Sequence, residues 1–172
     1  MEGMGDSVDV VPIGAYYGKG KRTGNYGAYL AAVYNEEDDE YQSVCKIGTG
    51  FSDEMLKSLP EGLADAVVEN KPSNVVTADV PGIRPDVWFE PSQVWEIKAA
   101  DLSTSSTHKG ALGRTGGGPD RGIGLRFPRF ERLRPDKKIT QATSSQQILE
   151  MYMNQDTVKG QAGNDDYDDD EL

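Results

Sequence analysis

Three stretches of the sequence hold residues whose types and spacing could do chemistry. The first is GIGLRFPRFERLRPDKK, Gly122 to Lys138. Counted from Arg121, it sets seven basic residues against two acids, Glu131 and Asp136. On an extended strand, alternate side chains share a face. Leu125, Phe127, Arg129, Glu131 and Leu133 then fall on one side, and Arg126, Pro128, Phe130, Arg132 and Arg134 on the other. Neither side is purely apolar, so burial alone does not explain the pattern. Guanidinium groups that contact phosphate, beside a ring that wedges against sugars or bases, suit a nucleic-acid groove. The competing reading is an edge strand whose long arginine stems cover a core.

The second stretch is YYGKGKRTGNYG. Lys19, Lys21 and Arg22 stand among Gly18, Gly20 and Gly24. Glycines let a backbone approach a ligand closely, and lysines bind phosphates as point charges. The order is not that of a Walker A loop. Phosphate binding and a basic hairpin loop kept for solubility both remain open. The third stretch is CKIGTGFSDE, where Gly48 and Gly50 give a G-x-G without a third glycine at dinucleotide spacing. It reads better as a strand end turning into a helix N-terminus.

Other chemistries find little support. His108 stands alone in a polar stretch and reads as a surface histidine. Cys45 reads as a small core residue. One histidine and one cysteine make no zinc site. No pair of carboxylates stands out as an acid–base couple.

These residues need elements to position them. The first hundred residues read mostly as strands: Ser7–Gly14, Tyr26–Tyr34, Tyr41–Gly48, Val87–Glu90 and Val94–Leu102. A further strand runs from Gly122 to near Arg134. Tyr26 to Gly48 has the pattern of a hairpin. One helix begins at Ser52, an N-cap followed by acids, with Phe51 and Leu56 spaced as a staple. A second begins after Ser144, which forms a capping box with Gln147 and aligns Ile148, Met151, Tyr152 and Gln155. The fold expected is mainly β: an OB-fold, a five-stranded Greek-key barrel with extra strands, one internal helix and a C-terminal helix. A jelly roll or SH3-like barrel competes with it. Residues 1–138 make the OB-fold domain, 139–157 a helix packed on the barrel, and 158–172 a disordered acidic tail.

The formal charge of the 172-residue chain is −11. Two runs account for it: Glu36–Glu40 and the six acids of NDDYDDDEL. Without those eleven acids, 18 acidic residues face 18 basic ones, so the body is neutral. No apolar run nears the roughly 20 residues that span a bilayer, so no membrane partner is expected. The single cysteine fits a reducing compartment such as cytosol or nucleus.

Taken together, GDSVDVVPIGAYYGKGKRTGNYGAYLAAVY, CKIGTGFSDE, VWFEPSQVWEIKAADLS and the stretch from Gly122 through QATSSQQILEMY resemble the C-terminal part of eukaryotic-type ATP-dependent DNA ligases of the DNA ligase I-like group. The likeness runs nearly to Gln155. RPDK, as Arg134, Asp136 and Lys137, resembles the R-x-D-K element of nucleotidyltransferase motif VI.

The resemblance implies an OB domain that serves two states. In self-adenylation Arg134, Asp136 and Lys137 face ATP. In nick sealing the domain grips the duplex across the minor groove, with Lys19, Lys21 and Arg22 on phosphates and Phe127 as a wedge aided by Arg126 and Arg129. ATP and Mg2+ enter through the adenylation domain, and no metal is expected on this chain. The K-x-D-G motif of the nucleophilic lysine is absent from the sequence. The chain is therefore expected to be the ligase OB domain alone, monomeric and inactive by itself. Implied partners are nicked duplex DNA and the adenylation domain, in the nucleus, in replication, repair and recombination. A free-standing nucleic-acid-binding OB module and the OB domain of an mRNA-capping guanylyltransferase are the alternatives.

Overall fold

The computed structural model describes residues 6–18 and 26–159. Among them run β1 (Asp6–Tyr17), β2 (Tyr26–Asn35), β3 (Glu40–Ile47), α1 (Asp53–Leu63), β4 (Val67–Val68), β5 (Val75–Val76), β6 (Val87–Phe89), β7 (Trp95–Ala99), β8 (Asp101–Ser105), β9 (Gly122–Arg126), β10 (Arg129–Leu133) and α2 (Ser145–Lys159). The main sheet has the order β10–β7–β1–β2–β3–β5, with β6 joining β1 and β4. β8 and β9 pair separately. The architecture is mainly β, a curled sheet with one internal and one C-terminal helix, as expected.

β2 shows why the sheet curls around one core while carrying a second on its back. Its sequence YLAAVY is apolar at every position. Tyr29, Ala31 and Val33 enter one cluster, with Trp95, Phe89, Phe130 and Ile148. Leu30, Ala32 and Tyr34 enter the other, with Ile13, Val75 and Val94. A strand covered on both faces loses the polar alternation of a half-solvated one. β1 splits its partners. Asp6–Val10 pairs with β7, and Gly14 and Ala15 pair with β6. The bulge between Pro12 and Gly14 lies at that division. A Cβ on Gly14 would stand 2.7 Å from Pro85 Cγ, so only glycine fits there.

The expected hairpin is β2–β3, pairing Tyr34 with Tyr41 and Asn35 with Glu40. The acidic run makes its turn, where charges stay solvated. Both helix starts are as read. Ser52 Oγ accepts from Met55 N at 3.1 Å. Ser144 Oγ accepts from Gln147 N at 3.1 Å while Ser144 N donates to Gln147 Oε1 at 2.9 Å. At the far end of that helix face, the Gln155 amide bonds both backbone groups of Leu102, at 2.9 and 2.6 Å. It satisfies a free strand edge of β8 as another strand would.

Two expected strands are each broken. Val94–Leu102 divides at Ala100 into β7 and β8, and Gly122–Arg134 divides at Phe127 and Pro128 into β9 and β10. β8 pairs β9, and β7 pairs β10, so a long two-stranded ribbon folds across itself. Ala100 N donates to Arg126 O at 2.9 Å at the fold. Phe127 sits there at φ +55°, in the left-handed region, and no extended strand passes through such a residue. His108 also departs from the surface reading: it is half-buried, its Cδ2 facing Gly124.

Candidate nucleic-acid interface and ion-pair cluster

The kink turns Phe127 outward. Its ring is 72% exposed, whereas Leu125 and Phe130 on either side are buried. Leu125 and Phe127 therefore do not share a face, contrary to simple alternation. The Arg126 guanidinium lies 5.2 Å from the Phe127 ring centroid, and its Nε is 3.1 Å from Asp101 Oδ1. Arg129 follows, exposed, with Glu131 at 3.8 Å. A large exposed ring flanked by guanidinium groups combines a wedge with phosphate-binding cations.

A bulge then changes the face of the remaining arginines. Phe130 pairs with Ile97 and Arg132 with Glu96, leaving Glu131 as the extra residue. A bulge re-aims the side chains that follow it. Phe130 and Ile97 point into the core, so Arg129, Arg132 and Arg134 all point outward. Strict alternation had put Arg129 opposite the other two. Two cross-strand rows result on one sheet face: Ser7–Lys98–Arg129 and Asp9–Glu96–Arg132.

The first row is basic. Lys98 stands directly across from Arg129, and it has no ion-pair partner among the described residues. Like charges directly opposite one another are destabilising, which makes this a place where an anion is welcome. Sequence reasoning missed Lys98. The alternation in WEIKA marks it as outward-facing, but only the register places it beside Arg129.

The second row is a closed ion-pair cluster. Arg134 donates to both carboxylate oxygens of Asp136, at 3.1 and 2.9 Å. It also lies 3.5 Å from Asp9 and 3.7 Å from Glu96. Lys137 Nζ donates to Asp9 Oδ2 at 2.7 Å, and Arg132 Nε to Glu96 Oε1 at 2.8 Å. Hydrogen bonding from Arg134 holds the Asp136 carboxyl down to about 2, and the same bond raises the Arg134 pKa. Three cations meet three carboxylates, so the cluster is self-neutralised in this conformation. Arg134 and Lys137 meet at Asp9, and Asp136 holds Arg134. Asp9 and Glu96 were not foreseen, since they lie far away in sequence.

The loop after β3 holds this strand in place. Thr49 O accepts from Phe130 N at 2.9 Å, and Thr49 Oγ1 donates to Pro128 O at 3.3 Å. Gly50, at φ +93°, lies so close that a Cβ would be 2.4 Å from Phe130 O. Phe51 stacks on Phe130 at 4.9 Å, and Trp95 meets Phe130 edge-on at 5.2 Å. The G-x-G is thus a packing contact under the interface, leading into a helix start as read. Lys19, Lys21 and Arg22 lie outside the described residues. Among the described residues no group of three or more His, Cys, Asp or Glu could hold a metal ion. No described helix is long and apolar enough to cross a membrane.

Comparison with known proteins fits this geometry. The profile of the family described as ATP dependent DNA ligase C terminal region matches residues 22–137. DNA ligase 1 of Dictyostelium discoideum is 56% identical over 155 residues, covering 90% of this chain and 13% of that protein. DNA ligase 1 of Arabidopsis thaliana is 52% identical, covering 90% and 19%. A DNA ligase of Sulfophobococcus zilligii is 48% identical, covering 88% and 24%. The chain thus spans a quarter or less of the length of these relatives. In fold, it is similar to the crystal structure of the ligase domain from M. tuberculosis LigD, with a TM-score of 0.57 and 24% identity over 81% of this chain and 38% of that one. With a matching profile over most of its length and relatives far above chance identity, the chain belongs to the family of the C-terminal region of ATP-dependent DNA ligases.

Proposed function

We propose that this domain works within a ligase that seals nicks in duplex DNA at the expense of ATP, and that one face of its sheet serves two steps. The observation that carries the reading is the shared outward face. Its basic row of Lys98 and Arg129, which follows the kink that carries Arg126 and Phe127, lies at one end, and the Arg134–Asp136–Lys137 cluster at the other.

ATP and Mg2+ enter through the adenylation domain, which carries the nucleophilic lysine. That lysine attacks the α-phosphorus of ATP and pyrophosphate leaves; AMP then passes to the 5′-phosphate of the nick and is displaced by the 3′-hydroxyl. In the first step Arg134 and Lys137 leave Asp9 and Glu96 for the departing pyrophosphate and stabilise its charge. Asp136 keeps the Arg134 guanidinium oriented, since a bidentate pair fixes the fork. In the sealing step the opposite end meets the duplex. Phe127 presses into the minor groove, Arg126 and Arg129 neutralise phosphate with Lys19, Lys21 and Arg22, and recognition is through backbone and shape. Residues 1–138 form the working OB unit, 139–157 brace it, and the acidic tail follows. The eukaryotic relatives favour a nuclear setting in replication and repair. The domain acts as a monomer and forms no lysine–AMP adduct alone, having no K-x-D-G.

The test is complementation. The chain, added to a ligase catalytic domain lacking its OB domain, is expected to restore lysine adenylation, and a Lys137→Ala version is expected not to. No gain from the wild-type chain, or full gain from Lys137→Ala, would overturn the assignment.

A further inference from the structure

Beside Phe127 the structure holds a cavity of about 460 Å³. It is not the ion-pair cluster; it shares Arg126 and Phe127 with the duplex-facing end, and the rest of its lining has no part in either proposed step. Its size suits a single nucleotide, since small-ligand sites run from roughly 300 to 1,000 Å³.

Its walls divide by chemistry. Ile83, Pro128 and the exposed Phe127 ring supply its apolar lining. Ser103, Thr107 and His108 make a polar side. Lys46 and Arg126 supply positive charge, and none of the lining residues is acidic. Arg126 is engaged by Asp101, whereas Lys46 Nζ rests on Gly82 O at 3.0 Å and over the Tyr16 ring at 4.3 Å. Among the described contacts, Lys46 meets no carboxylate, so its charge is available to an anion. His108 is half-buried and its Nδ1 has no hydrogen-bond partner among the described residues. Burial holds its pKa down to about 4, helped by Lys46 and Lys109, so the ring stays neutral at pH 7.

The site is also pre-formed. Tyr16 donates its hydroxyl to Ile83 O at 2.5 Å, and Lys46 holds Gly82, so the loop forming one wall is pinned to β1 and β3. Little ordering is left to be done on binding, which favours affinity.

We propose that this cavity binds a nucleoside 5′-monophosphate, with the base against Pro128 and the Phe127 ring, the ribose toward Ser103 and Thr107, and the phosphate on Lys46. Every base has a π-face, so stacking on Phe127 is tolerant of base identity. The ligand could be free mononucleotide or an unpaired nucleotide at a strand end beside the nick.

Titration of the chain with AMP, followed by calorimetry and amide chemical shifts, tests this without any duplex. Saturable binding is expected, with shifts centred on Lys46, Ser103 and Gly124. Adenosine and ribose 5-phosphate are each expected to bind at least tenfold more weakly, as is AMP to Lys46→Gln. Ser103→Phe, which fills the cavity, should abolish binding while the unfolding temperature holds. Absence of saturable AMP binding at millimolar concentration overturns the proposal, as does binding that Lys46→Gln leaves unchanged. A second arm separates the sources. A nicked duplex with one unpaired nucleotide that binds tighter than a flush nick, with the difference lost in Ser103→Phe, assigns the site to strand ends. Equal binding of the two duplexes, with AMP still bound, assigns it to free mononucleotide.

Discussion

Lys137 Nζ donates to Asp9 Oδ2 at 2.7 Å across 128 positions of sequence. The same Asp9 carboxylate lies 3.5 Å from Arg134, and Asp9 N donates to Thr143 Oγ1 at 2.9 Å. One acid of β1 therefore anchors both cations assigned to pyrophosphate and the segment leading into α2.

Removing either partner of that bond leaves a partly buried charge without its mate. Asp9→Asn and Lys137→Met should each cost about 1–3 kcal/mol. The double variant should cost less than the two single losses added together, with a coupling of about 0.5 kcal/mol or more by urea unfolding. Strict additivity would show that the pair is not formed in solution.

Phe127 stores backbone strain for an exposed ring. Phe127→Gly removes the left-handed penalty of about 1–2 kcal/mol and little buried area. The unfolding temperature should hold or rise, while affinity for nicked duplex falls about tenfold, or about 1.4 kcal/mol. Unchanged duplex affinity would remove Phe127 from the interface.

Lys98 faces Arg129 and, among the described residues, has no ion-pair partner of its own. Lys98→Gln should leave stability within about 0.5 kcal/mol. The slope of log affinity against log salt for duplex should fall by about one. A slope identical to wild type would place Lys98 away from phosphate.

Gly50 lies under Phe130 in a conformation that L-residues avoid. Gly50→Ala should cost about 2–4 kcal/mol, from left-handed strain plus overpacking. Duplex binding should weaken too, because the Phe130 backbone and the adjoining Pro128 must shift. A neutral Ala variant by chemical denaturation would contradict the close approach.

His108 makes stability pH-dependent. Its folded pKa is lowered to about 4 from 6.5, chiefly by burial, so the unfolded chain binds the proton more readily. Its contribution is fully present above pH 6.5 and is lost as pH falls through 6.5 toward 4. By linkage the loss at pH 5 is about 2 kcal/mol. His108→Gln should flatten that part of the curve measured by urea unfolding from pH 7 to 5.

Local pattern was enough for much of this protein. Ser52 and the Ser144–Gln147 box announce both helices because a cap acts within three residues. The β2–β3 hairpin, the mainly β class and the ligase-like motifs were legible for the same reason: each depends on neighbours in sequence. The tertiary structure alone decided the rest. The left-handed turn at Phe127 and the bulge at Glu131 follow from how β9 and β10 must register against β8 and β7, and one extra residue in a ladder moves every later side chain to the other face. Asp9, Glu96 and Lys98 likewise gain their meaning from strands that meet only after folding, because a charge in a strand carries no sign of which partner the sheet will set beside it.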